Sequence, residues 1–112
     1  MIDHLLWMID HLLFYKLKPE VDEGKLEDMI RMSRSLLLKI PVVLTVRSGR
    51  TIAPESDWPF YILLEFDSLD KKRIFQDDPN YLKFLKVIVD PNTSKSYSVD
   101  YETDPSKDIK YS

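Results

Sequence analysis

The chain has no cysteine among its 112 residues. Disulfides, thiolate metal sites and cysteine nucleophiles are therefore excluded. Only two glycines are present, too few for a phosphate loop, a glycine-rich turn or a calcium loop. The two histidines, His4 and His11, are seven residues apart. That spacing suits neither the i, i+4 pattern of a helix nor one face of a strand, so no metal site is expected. The net charge is only -3, and the sixteen Lys and Arg are spread along the chain. The one basic run, Lys71-Lys72-Arg73, reads as a solvated helix face rather than a nucleic-acid patch. No apolar stretch approaches the ~20 residues of a membrane-spanning helix. The apolar N-terminus carries Asp3 and Asp10 and has no leading Lys or Arg, which argues against a secretory signal. The expectation is a cytoplasmic protein that takes no cofactor and binds neither membrane nor nucleic acid.

What is present is a core. Hydrophobic residues make up 44% of the chain and charged residues 31%, a globular rather than disordered balance. A chain of this size forms one domain and buries roughly two-thirds of its unfolded surface.

The alternation in residues 9–17, IDHLLFYKL, predicts a strand. Ile9, His11, Leu13, Tyr15 and Leu17 share one face, and Leu12 and Phe14 the other. Both faces are largely apolar, so both should be covered. Residues 22–39 predict a helix with a stripe of Leu26, Met29, Ile30, Ser33, Leu36, Leu37 and Ile40. Asp22 is its N-cap, and Pro41 stops the run. Strands follow over 43–48 and 60–66, separated by the polar loop 51–58 around Pro54. Ser68 caps a short helix over 69–76. Asp78 caps another that runs to about Val89, with Pro79 at its first position, where the missing N–H costs nothing. Pro91 follows that helix, and residues 96–101 predict a last strand.

The order strand, helix, strand, strand, helix, strand is the ferredoxin-like α+β pattern, βαββαβ, with a four-stranded antiparallel sheet. Helices cover one sheet face. The other would be polar unless something covered it. Here it is apolar, and the same face of a second copy is the expected cover.

The start of the chain repeats itself: Met1–Leu6 recurs as Met8–Leu13. An odd offset would send every side chain of a strand to the opposite face. Helical spacing does fit the repeat, but two heptads are too short for a coiled coil alone. The expected division is an extension or duplicated start over 1–7, a domain over 8–102 and a polar tail over 103–112. Two readings of the first segment stay open: a domain that begins at Met8, or an apolar arm packed on the partner.

The stretches MIDHLLFYKLKPEVDEGKLEDMI, LLLKIPVVLTVRSGR, SDWPFYILLEFDSL, QDDPNYLKF and DPNTSKSYSVDYE, taken in order, resemble the stress-responsive A/B barrel (Dabb) family over Met8–Glu102. The resemblance implies a dimeric α+β barrel, two sheets face to face with helices outside. The family includes a plant polyketide cyclase whose pocket, between sheet and helices, is associated with two histidines and a tyrosine. His11 matches the first histidine. Tyr81 stands in place of the second, and Phe75 in place of the tyrosine. A phenol of pKa ~10 is a poor general base near neutral pH. Two further departures are Val42, where relatives often have glycine, and a slightly shorter stretch from Trp58 to Phe66.

The residues expected around a ligand are His11, Tyr15, Trp58, Phe60, Phe75 and Tyr81. Each has a plainer role in core or interface packing. Trp58, in a polar loop, is the one least explained that way. The first functional reading is a homodimer that binds a small apolar or aromatic molecule between sheet and helices, without established catalysis. One alternative is a cofactor-independent enzyme of polyketide-cyclase or small-ring-oxygenase type, with His11 and Tyr81 as catalytic candidates. The other is a structural, stress-associated dimer that takes no ligand.

Overall fold

A computed structural model describes residues 7–105. Most of the proposed N-terminal arm and the tail beyond residue 105 therefore lie outside the described residues.

Strand β1 (Met8–Leu17) leads into helix α1 (Glu23–Leu38), then β2 (Thr45–Arg50) and β3 (Phe60–Phe66). Two short helices follow, α2 (Leu69–Gln76) and α3 (Pro79–Phe84). A π-helical turn (Leu85–Val89) and α4 (Asp90–Asn92) lead into β4 (Thr93–Thr103). The strands form one antiparallel sheet in the order β2-β3-β1-β4. This is the ferredoxin-like α+β fold.

The helix starts are local chemistry. The side chains of Asp22, Ser68 and Asp78 accept hydrogen bonds from the backbone N–H groups of Lys25, Lys71 and Asn80. Each satisfies a donor that the first helical turn leaves unpaired. The apolar stripe of α1 packs on the sheet, with Met29 and Leu37, and Ile40 just past the helix end, almost fully buried. They meet Phe60, Ile62, Leu64 and Phe66, all at 0% exposure on one face of β3. Ile9, Leu13 and Tyr15 of β1 join the same core.

Several boundaries differ from expectation. Strand β2 begins two residues later, at Thr45 rather than residue 43. The Val43 N–H is held by the Ile40 carbonyl in a turn, and only Leu44 reaches β3, through Glu65. Gly49 lies inside β2 rather than after it. A Cβ there would stand 3.0 Å from Cε1 of Tyr61, so the bare backbone makes room for that ring.

The last helical run does not stop before Pro91. It widens into the π turn and carries Pro91 into α4. Proline brings no N–H, so carbonyls of the preceding turn need other donors. Asn92 Nδ2 donates to the Ile88 carbonyl, and Thr93 Oγ1 to that of Val89. Strand β4 is also longer than residues 96–101, because it pairs with β1 along that strand's whole length.

These packing roles set an order of costs. In urea unfolding, Asp22→Ala is expected to cost about 1 kcal/mol, the loss of one cap. Ile62→Ala is expected to cost about 2–5 kcal/mol, the loss of a fully buried side chain plus the cavity left behind.

Candidate functional site

β1 places His11 on the helix-covered face, where it is 5% exposed. Directly across the ladder stands Asp100 of β4. Its Oδ1 accepts a hydrogen bond from His11 Nδ1 at 2.5 Å, and its Oδ2 accepts one from Lys72 Nζ at 2.5 Å. Lys72 comes from α2, which lies over that end of the sheet. With Nδ1–H committed to the carboxylate, the neutral His11 ring presents Nε2 as its acceptor.

The electrostatics follow from burial and from this chain of charges. Burial pushes the His11 pKa below the usual 6.5, outweighing the pull of Asp100 in the other direction; Lys72 lowers it further. Burial also acts to raise the pKa of Asp100. Its bonds to Lys72 and His11 together win, and the carboxyl is held below 3.8. At neutral pH the site is therefore a neutral imidazole, a carboxylate and an ammonium.

A run of rings extends from His11. Its edge meets Phe75 at 6.2 Å, and Phe75 packs on Tyr81 at 4.2 Å. Tyr81 stacks near Phe84, and Phe84 meets Tyr15, which stacks on Phe60. Five of the six expected ligand residues are thus brought together on the helix side. Tyr15, Phe60 and Phe75 are buried to within 2% exposure and fill that space with their own side chains. Burial raises the pKa of both Tyr15 and Tyr81, which removes each phenol further from base chemistry near neutral pH.

Trp58 is not with them. It lies across the sheet, on the open face, with its ring 6.2 Å from that of Tyr97. A recess of about 650 Å³ opens there, lined by Leu12, Phe14, Ile52, Trp58, Tyr61 and Tyr97 together with Arg50, Thr51 and Ser56.

Two groups escaped the sequence reading. Asp100 is 89 residues from His11, and only strand pairing reveals it as the partner. Lys72 belongs to the basic run read as solvated. Lys71 and Arg73 do pair with exposed Asp67 and Asp70, but Lys72 turns inward, and its side chain is 19% exposed. Spacing along α2 carried a signal, since Lys72 and Phe75 lie three residues apart on one helix face. Among the described residues no group of His, Asp or Glu converges as a metal site. No helix among them is long and apolar enough to cross a membrane.

The sequence profile of the Stress responsive A/B Barrel Domain matches residues 9–103. The chain belongs to the stress-responsive A/B barrel (Dabb) family. Solved structures share its fold. A Dabb family protein from Mesorhizobium loti superposes with a TM-score of 0.74 at 23% identity, over 85% of this chain and 95% of that one. A dimeric ferredoxin-like protein of unknown function from Thermobifida fusca gives 0.75 at 21%, over 86% and 91%. The hydroxynitrile lyase from Passiflora edulis gives 0.75 at 17%, over 92% and 99%. At such identities these structures establish the fold alone. No curated protein matches the chain. The Dabb fold accounts for the position of His11 beneath the helices, whereas its coupling to Lys72 is read from this chain's own geometry.

That coupling can be titrated. Followed by NMR, the His11 pKa is expected to rise in Lys72→Ala, which removes a repelling charge, and to fall in Asp100→Asn. Stability should follow pH in the same sense. Folding lowers the His11 pKa, so the unfolded chain takes up the proton first as pH drops below 6.5. The His11 contribution is complete above that value and lost on acidification toward the folded pKa. Asp100 acts in the same direction at lower pH: its contribution is present above 3.8 and lost as pH falls through the folded value. The urea midpoint should drop between about pH 7.5 and about pH 5.5, and His11→Gln should flatten that part of the curve.

Proposed function

We propose that this Dabb protein is a homodimer assembled through the open faces of its sheets, and that it binds a small apolar or aromatic molecule without established catalysis. The observation that carries the dimer is the open face itself. Leu12 and Phe14 of β1 stand beside Tyr61 and Leu63 of β3 and beside Tyr97 and Val99 of β4. Tyr97 and Tyr101 are more than half exposed. A contiguous apolar surface on a sheet is costly in water and marks an interaction site. A two-fold axis lets one such face cover its own copy. Dimeric relatives with this fold, such as the Thermobifida fusca protein, support the same reading. A cytoplasmic setting belongs to the proposal, since a chain with no cysteine loses nothing in a reducing compartment.

A second reading, a cofactor-independent acid–base enzyme, is favoured by one observation. Asp100 fixes the tautomer of His11 and leaves Nε2 able to take a proton, the arrangement a general base needs. Phe75, at 0% exposure, packs against this ring, and His11 itself is 5% exposed. A substrate would have to displace α2 to reach Nε2.

Native mass spectrometry of the purified chain is expected to give the mass of two copies. Leu12→Glu places a charge at the centre of the open face and is expected to give one copy with unchanged circular dichroism. A wild-type mass of one chain would sink the dimer. For the second reading, the protein should speed deuterium exchange at the methylene of acetylacetone in D2O, and His11→Gln should abolish the effect. Exchange no faster than in buffer rules that reading out for this probe.

A further inference from the structure

Helix α2 is fastened to the rest of the chain at few points. Of its 8 residues only Phe75 is buried. Its other large apolar side chains, Leu69 and Ile74, stand 51% and 57% exposed. Its ion pairs divide in the same way. Lys71 pairs with Asp67 and Arg73 with Asp70, each within about one turn along the same stretch of chain. Lys72 instead reaches another element and meets Asp100 of β4. We infer that α2 is a lid over His11, plugged by Phe75 and latched by the Lys72–Asp100 pair. The inference needs neither the dimer nor the catalysis considered above. Through Phe75, α2 lies on the face of His11, away from the face assigned to the second copy.

Phe75 is the plug. Its ring lies 6.2 Å from that of His11, 5.2 Å from that of Phe66 and 4.2 Å from that of Tyr81. Lifting this one side chain leaves a space the size of a phenyl ring beside His11, walled by Phe66 and Tyr81. The helix that carries it has a joint at each end. Ser68, the N-cap, has extended backbone (φ -165°, ψ 161°). At the other end a single exposed residue, Asp77, separates α2 from Asp78, the N-cap of α3. Rotation at a few such terminal residues moves a short helix as one piece and leaves the sheet intact.

The latch is built to release. Asp100 holds His11 through Oδ1 and Lys72 through Oδ2, both at 2.5 Å. Its side chain is 35% exposed, so water can replace the ammonium when Lys72 leaves. The bond to His11 survives, and Nδ1–H stays committed. The open lid therefore presents Nε2 with its tautomer already fixed. A partly exposed ion pair is weak and is screened by salt. A short helix with one buried side chain opens locally, well short of global unfolding.

Hydrogen exchange of the full chain, followed by NMR, reads the lid directly. The amides of residues 72–76 are expected to exchange about tenfold or more faster than those of β3. Lys72→Met keeps the stem and removes the charge; it should speed the same amides at least threefold and leave β3 unchanged. Lys72→Arg should restore wild-type protection. Molar sodium chloride should speed these amides in the wild type and not in Lys72→Met. Diethyl pyrocarbonate, which acylates a neutral imidazole nitrogen, gives a second reading in a chain carrying His4→Gln, where His11 is the one histidine left. His11 should react at least tenfold more slowly than N-acetylhistidine. Lys72→Met should speed that reaction by the factor it applies to exchange, which a change in basicity alone would not match. Amides 72–76 protected as well as β3 overturn the lid, as does a His11 that reacts as fast as N-acetylhistidine. Unchanged exchange in both Lys72→Met and molar salt overturns the latch. A one-chain mass, or no exchange of acetylacetone, removes the readings above and leaves these outcomes as they are.

Discussion

Strand β1 is bonded on both edges, by β3 and by β4, and is apolar on both faces. Everything else is arranged around that double demand. One face is covered within the chain, by α1 and the short helices. Among the described residues the other has no helix of its own. Side chains alternate strictly along a strand, so a slip of one residue in the pairing would exchange the two faces and bring His11 into the open. The turn that delays β2 and the ladder that runs the full length of β4 both serve to hold this register.

The two faces of the sheet solve different problems. On the covered side, a buried histidine needs a partner for its donor, and a carboxylate beside it needs compensation of its own. Asp100 meets the first need and Lys72 the second. The charges form a short chain that runs from the core edge to the surface, where solvent softens the cost of the outer ones. On the open side a band of Leu12, Phe14, Tyr61, Leu63, Tyr97 and Val99 is flanked by Asp10, Glu65 and Arg47 and by Lys16 and Lys95. The His11–Asp100–Lys72 chain and the aromatic side chains of the open face are thus separated by the thickness of one sheet.

Membership in the Dabb family explains why the scaffold exists but not what this chain does with it. The fold is shared with proteins described as dimers of unknown function and with a lyase. A common scaffold hosts many chemistries, and the side chains decide among them. Here Phe75 and Tyr81 fill the helix side with rings, and the loop carries Trp58 to the other side.

The sequence by itself determined what depends on near neighbours. The caps at Asp22, Ser68 and Asp78 are contacts two or three residues long, and the chemistry of each is visible in the letters. The bounds of β3 and the stripe of α1 follow from periodicity, and the order of elements then leaves few topologies open. The π turn was not legible, because it answers to donors on Asn92 and Thr93 that only the folded chain aligns with Ile88 and Val89. The tertiary structure alone decided the site. His11 acquires Asp100 through strand pairing and Lys72 through the docking of α2, while Trp58 lands on the face away from both. Such contacts join residues far apart in the chain, and no local rule of spacing encodes which distant strand or helix will close the distance.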